Sequence, residues 1–483
     1  MRLDRLASWL RPIAYLGRNP ISLTGGVLTS ASAITLLGYW LLVILLGGGA
    51  GTYPYAGILF FLILPAIFVL GLLLIPIGEF LRRHQLQKKG ELPSVYPHLD
   101  LADPFFRKAA LLVAGATFVN IVIFSAASYS GTQYMDSVGF CGQTCHTVMQ
   151  PEYTAYLNSP HSRVACVDCH IGPGASWFVR SKVTGVKQVF AVAFHDYPRP
   201  IPSPVEQLRP ARATCEHCHW PQRFSGNVLF TRTHYQEDEK NSPLTTVLGM
   251  KVGGRSAMGM VGIHGHHLDA GVQITYVATD QKRQVIPQVT YTDPEGRTTV
   301  FNSTDTKVTP VELARGEHRV MDCIDCHNRP THTFQLPGEA IDQAMTEQFI
   351  GPDLPYIKKE ALLALKANYP SRDMAKQRIA ETLRDFYQKN YPMVVASQGK
   401  ELETAIGTVQ SIYLRNVFPA MEVTWGTYAD NLGHTDFPGC FRCHDGSHVS
   451  ADGKTIPNDC DTCHELLAVD EKNPKILQEL GMK

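Results

Sequence analysis

The sequence lacks an excess of charge of either sign. Its 44 lysines and arginines balance its 44 aspartates and glutamates, so the formal net charge is zero. There is therefore no basic field that would indicate nucleic-acid binding, and there is no acidic tail. The first 130 residues also lack cysteine and are strongly apolar, whereas the more polar remainder holds all 12 cysteines. With 483 residues the chain is long enough for two or three structural units.

Three apolar runs, at 21–48, 54–81 and 108–130, lack charged residues in their central parts. A membrane-spanning helix needs about 20 apolar residues, so the runs predict three transmembrane helices. Buried helices of a large soluble protein are the alternative. The runs also lack histidine, which excludes axial ligation of a haem inside the membrane. They form an anchor, alone or also as a wall for a lipid-soluble substrate.

Basic residues are absent from the loop at 50–55, between the first two runs. They are abundant before the first run and between the second and third, at Arg2, Arg5, Arg11, Arg18, Arg82, Arg83, Lys88, Lys89, Arg107 and Lys108. The positive-inside rule therefore predicts a cytoplasmic N-terminus and an exported chain after about residue 131. No small-residue cleavage site follows the first run, so we expect it to remain as an uncleaved anchor.

No cysteine is left unpaired, because the 12 cysteines form six pairs. The pairs are Cys141/Cys145, Cys166/Cys169, Cys215/Cys218, Cys323/Cys326, Cys440/Cys443 and Cys460/Cys463. A histidine follows each pair directly: His146, His170, His219, His327, His444 and His464. Five pairs read C-x-x-C-H, and the first reads C-x-x-x-C-H.

C-x-x-C-H is the attachment motif of c-type haem. The two thiols bind the vinyl groups of one porphyrin, and the adjacent histidine ligates its iron. Structural zinc would require two cysteine pairs to converge on one ion, and disulfides are the other alternative in an oxidising compartment. Because a histidine follows every pair, the sequence predicts six c-type haems.

The second iron ligands must come from outside the motifs, where the exported part offers further histidines. These are His161, His195, His217, His234, His264, His266, His267, His318, His332, His434 and His448. Proximity to a motif favours His161, His195, His332, His434 and His448 as distal ligands. Met149 is a candidate soft ligand of the first iron, with ordinary packing as an equal alternative. The cluster GIHGHHL at 262–268 predicts one further haem ligand or, less favoured, a separate metal site.

The predicted fold class is mainly α, with three transmembrane helices, much irregular haem-binding structure and a small β insertion. Alternating residues within 271–302 predict strands, helical periodicity covers 339–416, and five prolines in 196–212 predict an extended connector. The predicted units are a membrane anchor (1–131), a module with haems 1–3 (132–240), the β-rich insertion (241–312), a haem 4 segment that completes a tetrahaem-like core (313–338) and a helical module with haems 5 and 6 (339–483).

Several motifs resemble one known family. They are CHTVMQPEYTAYLNSPH (145–161), CVDCHIGPG (166–174), Lys182 with GVKQVF (185–190), CEHCH (215–219) and CIDCHNRPTHTFQLP (323–337). Together they resemble the NapC/NirT/NrfH family of membrane-anchored quinol dehydrogenases, in which a histidine like His332 follows the fourth motif. With three spans and six motifs, the chain is similar to the larger inner-membrane members of metal-reducing bacteria.

The resemblance implies a quinol:cytochrome c oxidoreductase in the bacterial inner membrane, with its haem domain in the periplasm. It would oxidise menaquinol from the membrane pool and pass electrons through six haems to periplasmic c-type cytochromes in anaerobic respiration. The family places quinol near a lysine and an acidic residue, which correspond here to Lys182, Lys187 and Gln188, the last a departure from an acid. A homo-oligomer or a complex with another redox protein stays open.

Two rival functions remain at the level of sequence. One is a terminal reductase of small oxyanions such as nitrite, although the C-x-x-C-K motif typical of such enzymes is absent. The other is a non-enzymatic electron conduit docked to another membrane dehydrogenase.

Overall fold

The computed structural model of the protein describes residues 11–45, 63–96, 104–144, 146–205, 208–220, 226–254 and 261–482. The chain divides into two compact units, Met1–Met135 and Asp136–Lys483. This boundary lies close to the predicted end of the membrane anchor at residue 131. The finer division of the second unit into four parts stays a prediction.

The first unit contains three long helices, α1 (Pro20–Leu45), α2 (Leu64–Lys89) and α3 (Pro104–Met135). Small residues let α1 and α2 approach closely: a Cβ at Gly71 would lie 2.7 Å from the Thr29 backbone nitrogen. Ser22 Oγ also donates to the Ile75 carbonyl at 2.8 Å. Within the described residues, two helices are long and apolar enough to cross a membrane, Pro20–Tyr39 and Leu64–Lys89.

These two helices match the first two predicted spans, of which 46–48 and 54–62 lie outside the described residues. The helix α3 covers the third predicted span at 108–130, and its crossing of the membrane stays a prediction.

The second unit begins with a π-helical turn, Phe140–Thr144, and a group of helices that carries the first three motifs. These helices are α4 (His146–Leu157), α5 (Cys166–His170), α6 (Ala175–Ala193) and α7 (Arg212–Cys215). The proline-rich connector before α7 forms no helix or strand in its described part, as predicted. Tyr428 Oη donates to the Ile201 carbonyl at 2.9 Å, and Arg329 donates to Ser203 Oγ at 3.1 Å. The connector is therefore held against the segments that follow the fourth motif.

Two antiparallel sheets occupy the middle of the second unit. The first has the strand order β1 (Val228–Tyr235), β2 (Pro243–Met250), β8 (His464–Glu471); the second has the order β6 (Glu317–Val320), β3 (Gln273–Ala278), β4 (Gln288–Thr292), β5 (Thr298–Ser303), β7 (His448–Ser450). The three predicted strands within 271–302 are confirmed as β3, β4 and β5. The β-rich part is not confined to 241–312, however, because β7 and β8 of the tail complete both sheets.

Along the chain, the remaining helices lie between the strands, apart from the last helix, which follows β8. They are α8 (Ile263–Leu268), α9 (Pro310–Arg315), α10 (Cys323–Cys326), α11 (Pro337–Thr346), α12 (Ile357–Lys366), α13 (Arg372–Asn390), α14 (Pro392–Ser397), α15 (Gly399–Asn416), α16 (Cys460–Cys463) and α17 (Lys475–Glu479). The helical periodicity over 339–416 is confirmed by α11 to α15. We call α11 to α15 the helical cluster.

The helical cluster has a dense apolar core. Its fully buried side chains include Ile379, Leu383, Tyr387, Ile406 and Ile412, and each buried aliphatic side chain stabilises the fold by about 1.5–3 kcal/mol. A polar pair at its edge ties in the β1–β2 hairpin. Lys358 Nζ donates to Asp342 Oδ1 at 2.5 Å, and the same oxygen accepts from the Tyr235 backbone nitrogen at 2.9 Å.

Candidate haem and quinol sites

Most of the motifs form one turn of helix. The cysteines of the second, fourth and sixth motifs lie three residues apart on α5, α10 and α16, and the fifth motif begins on a 3₁₀ turn, Gly439–Arg442. Residues three apart on a helix lie on one face, so both thiols of a motif can reach the same porphyrin edge. Cys145 lies outside the described residues, as does the side chain of His146.

Five of the six motif histidines face a histidine from elsewhere in the chain. The ring centres are 6.0 Å apart for His219 and His161, 6.2 Å for His170 and His332, 6.3 Å for His327 and His264, 5.8 Å for His444 and His267, and 6.2 Å for His464 and His434. Each pair contains one motif histidine and one histidine that no motif includes.

This separation fits haem. A bond from a first-row metal to an imidazole nitrogen is about 2 Å long, so two imidazoles on opposite sides of one iron have ring centres about 6 Å apart. The covalent attachment implied by the cysteines and the axial ligation implied by the histidine pairs therefore agree for five motifs. Haem iron, when bound there, supplies one-electron chemistry.

In three of the histidines that face a motif, a backbone carbonyl holds one ring nitrogen. The Nδ1 atoms of His264, His267 and His332 lie 2.6, 2.7 and 3.0 Å from the carbonyls of Val252, Ile263 and Glu152. A carbonyl can only accept, so Nδ1 carries the proton and Nε2 is the unprotonated ring nitrogen. Metal-ligating histidines are typically oriented by such a second hydrogen bond.

Desolvation lowers the pKa of several paired histidines, namely His170, His267, His327, His332 and His464. A lowered pKa keeps an imidazole neutral at neutral pH, and the neutral form is the one that ligates iron.

Of the five predicted distal histidines, three face a motif histidine of the described residues and two do not. His161, His332 and His434 each face a motif histidine. His448 is 1% exposed, and hydrogen bonds occupy both its ring nitrogens: Nε2 lies 2.8 Å from the Ile286 carbonyl and Nδ1 lies 2.9 Å from Asp445 Oδ1. This arrangement leaves no nitrogen for iron and corrects the prediction for His448. His195 is exposed, has a positive φ of 56° and belongs to none of the five pairs.

Two partners were not predicted individually. The cluster at 262–268 predicts one haem ligand, whereas His264 and His267 each face a different motif histidine. Their spacing of three residues on α8 was a usable signal. Among the described residues, no group of three or more histidines, cysteines or acids converges as a separate metal site, and no described cysteine forms a disulfide. The zinc and disulfide alternatives therefore gain no support.

Cysteines from consecutive motifs lie beside one another. Cys141 lies next to Cys166, and Cys215 lies next to Cys323. Three further pairs of thiols lie close enough to interact electrostatically: Cys169 with Cys215, Cys326 with Cys440, and Cys440 with Cys463. The motifs thus follow one another in space in the same order as in the sequence.

The fourth motif is linked to its neighbours through its acids. Asp322 Oδ2 accepts from the Ala211 backbone nitrogen at 2.7 Å, next to the third motif. Asp325 is buried and accepts from Tyr276 Oη at 2.6 Å, while its own carbonyl accepts from Arg442 of the fifth motif at 2.6 Å.

The predicted quinol residues differ in their surroundings. Lys182 lies 3.6 Å from Asp136 and its ammonium lies 4.8 Å from the centre of the Phe178 ring. Both charges act on the pKa of Cys141: a hydrogen bond with Cys166 is the main cause that raises it, Asp136 raises it further and Lys182 lowers it. Lys187 and Gln188 are exposed on α6. The sequence analysis missed Asp136, since it lies outside every motif.

The helices and motifs together define a class, that of a membrane-anchored multihaem c-type cytochrome. A model of the NapC/NirT cytochrome c family, N-terminal region, matches residues 105–200. The cytochrome c-type protein ImcH of Geobacter sulfurreducens is 40% identical over 468 residues, which cover 96% of this chain and 91% of that protein. The chain belongs to the NapC/NirT cytochrome c family. No solved structure matches it. The predicted resemblance is thereby confirmed.

Proposed function

We propose that the protein is an inner-membrane quinol dehydrogenase. It oxidises menaquinol and passes the electrons through six c-type haems to periplasmic c-type cytochromes in anaerobic respiration. The observation that carries this proposal is the Lys182–Asp136 pair beside Cys141 of the first motif. A cation and a carboxylate at this place can bind a quinol hydroxyl and take its proton.

The two groups have separate tasks. Asp136 is the proton acceptor, a role that Gln188 cannot fill because an amide does not take up a proton at neutral pH. Lys182, which lies 3.6 Å from the Asp136 carboxylate, donates a hydrogen bond to the quinol oxygen. The pair is partly exposed, with side-chain exposures of 31% for Lys182 and 40% for Asp136, so a substrate and water can both reach it.

The helix α6 also offers an apolar surface next to this pair. Val179, Val183, Val186 and Phe190 recur at helical spacing and are each more than half exposed. Such a face suits the bilayer surface, where the isoprenoid tail of a quinol resides. This is consistent with a haem unit that meets the membrane on the periplasmic side.

Electron passage follows from the order of the motifs. Thiols of consecutive motifs lie side by side from the first motif to the sixth. We propose His161, His332 and His434 as distal ligands of the irons held by His219, His170 and His464. For the first iron, the proximal ligand is His146 or Met149, and Met149 lies half-buried on α4.

The test is reduction of the purified full-length protein by a menaquinol analogue in lipid nanodiscs, followed by stopped-flow absorbance. We expect Asp136→Asn to slow haem reduction by about 10²–10⁴-fold, the usual contribution of a positioned base, and Lys182→Met to slow it as well. Lys389→Met, at an exposed lysine of α13, is the matched control and should be reduced at the parental rate. Dithionite should reduce all variants equally, which shows intact haems.

Three results would contradict the proposal. A parent protein that menaquinol cannot reduce would favour an electron conduit docked to another dehydrogenase. Steady nitrite turnover would favour a terminal reductase. Equal rates for the parent and Asp136→Asn would remove the proton acceptor.

A further inference from the structure

We propose that the single helical turn α8 supplies the sixth ligand to two haems. His264 would ligate the iron bound by Cys323, Cys326 and His327, and His267 would ligate the iron bound by Cys440, Cys443 and His444. The inference rests on the proposed attachment of six haems, but not on quinol being the electron donor.

The first argument is that His264 and His267 each lie opposite a different motif histidine. The ring centres of His264 and His327 are 6.3 Å apart with an interplanar angle of 13°, and those of His267 and His444 are 5.8 Å apart. Both separations fit two imidazoles on one metal, about 6 Å. Because His264 and His267 are three residues apart, their rings project from neighbouring positions of one helix face towards two different motifs.

The second argument is the orientation of the rings. Each Nδ1 donates to a backbone carbonyl, that of Val252 for His264 and that of Ile263 for His267. A protonated Nδ1 cannot ligate a metal, so Nε2 is the ring nitrogen that would do so in both residues. His266, which lies between them, is exposed.

The third argument is the way in which α8 is held. The backbone nitrogens of Ile263 and Gly265 donate to the carbonyls of Lys251 and Gly253 at 2.8 and 3.2 Å. The Lys251 nitrogen in turn donates to the Cys463 carbonyl of the sixth motif at 2.9 Å. The segment that follows β2 thus holds both α8 and the sixth motif. The position of α8 is therefore fixed by contacts with this segment as well as by its own chain connections.

The consequence is a junction between haems four and five. The motifs of these haems already meet through Arg442, which donates to the Asp325 carbonyl at 2.6 Å. A ligand helix shared by both irons joins the four-haem part to the terminal pair, so the β-rich region serves to continue the electron path.

The experiment uses full-length holoprotein in detergent, with the variants His264→Ala, His267→Ala and the double variant. Loss of a sixth ligand leaves a five-coordinate, high-spin iron that can bind carbon monoxide when reduced. We expect each single variant to gain one carbon monoxide-binding haem over the parent, and the double variant to gain two. Added imidazole should return these haems to low spin.

His266→Ala is the matched control and should match the parent. The haem content by pyridine hemochrome separates the two levels of the proposal. A content below six in the parent would contradict the proposed six-haem protein. A full content in which His264→Ala or His267→Ala gains no high-spin haem, or in which His266→Ala gains one, would overturn the ligand assignment. A variant that loses haem altogether is replaced by His264→Met or His267→Met, which should change one haem spectrum and leave the content at six.

Discussion

The helical cluster and the motif-bearing segments of the same unit are stabilised in different ways. In the helical cluster, apolar side chains bury one another, and Leu383, Ile379 and Ala405 are fully inaccessible. In the segments around the motifs, several cysteines such as Cys169 and Cys218 are exposed to solvent. The helical cluster is stabilised by its own apolar core, whereas the motif segments need apolar contacts from outside the polypeptide. We expect the apolar porphyrin faces to supply them.

The largest effect should follow from removing one haem. The double substitution Cys323→Ser/Cys326→Ser prevents haem attachment at the fourth motif. The amide hydrogens of α10 and α8 should then exchange about 1,000-fold faster, which corresponds to a loss of about 4 kcal/mol of local opening free energy. Helices α12, α13 and α15 should keep their exchange rates. Hydrogen exchange with mass spectrometry measures both regions in one sample. Equal loss of protection in α13 would show that the two regions are one cooperative unit.

The next effect concerns the core of the helical cluster. Leu383→Ala removes a fully buried side chain, and we expect a loss of about 2–5 kcal/mol of unfolding free energy. Leu363, which is 56% exposed in the same cluster, is the control, and Leu363→Ala should change stability by less than about 0.5 kcal/mol. Native-state hydrogen exchange of α12 to α15 measures both. The spectra of the haems should be unchanged by either substitution.

A smaller effect is expected from the buried ion pair beside His332. Arg329 donates to both carboxylate oxygens of Glu152, at 3.0 and 2.9 Å, and their side chains are only 8% and 15% exposed. Glu152→Gln should therefore lower the free energy of unfolding by about 1.5–3 kcal/mol. The exposed pair Arg384–Glu403 of the helical cluster is the comparison, and Glu403→Gln should cost less than about 1 kcal/mol.

Denaturant titrations of the two variants measure these losses. Equal losses would mean that burial does not distinguish the pairs. A shift in one haem potential should accompany Glu152→Gln alone, since the Glu152 carbonyl and carboxylate both lie near His332 Nδ1.

The smallest effect is a pH dependence of opposite sign in the two regions. A hydrogen bond from Arg283 holds the pKa of Glu317, next to the fourth motif, below its ordinary value of 4.5. Its contribution is present above that value and is lost as the pH falls through the lowered pKa. Burial raises the pKa of Glu360 in the helical cluster above 4.5, so its contribution is present below that value and is lost as the pH rises through the raised pKa.

Thermal midpoints between pH 3 and 7, a range of about four units that brackets ordinary carboxyl values, distinguish the two. The difference between the parent and Glu317→Gln should shrink as the pH falls. The thermal midpoint of the parent relative to that of Glu360→Gln should instead rise as the pH falls. The same sign for both would contradict the assigned surroundings.

The sequence analysis predicted the fold unevenly. It found β3, β4, β5 and the helices of the cluster, because their periodicity is local. It missed β7 and β8 as members of the sheets, because nothing near His448 or His464 indicates a partner strand far away in the chain. It also could not find Asp136, which is defined by its 3.6 Å approach to Lys182 and not by any motif.

By itself the sequence predicted where haem would be attached, since two thiols and a histidine must lie within a few residues to hold one porphyrin. It also determined the apolar helices, which need only length and composition. Only the tertiary structure decided which histidine faces which motif, brought His264 and His267 to the fourth and fifth motifs, and put the motifs in spatial order. The physical reason is that a second ligand must approach from the opposite side of the haem, and residues adjacent in the chain rarely reach that side.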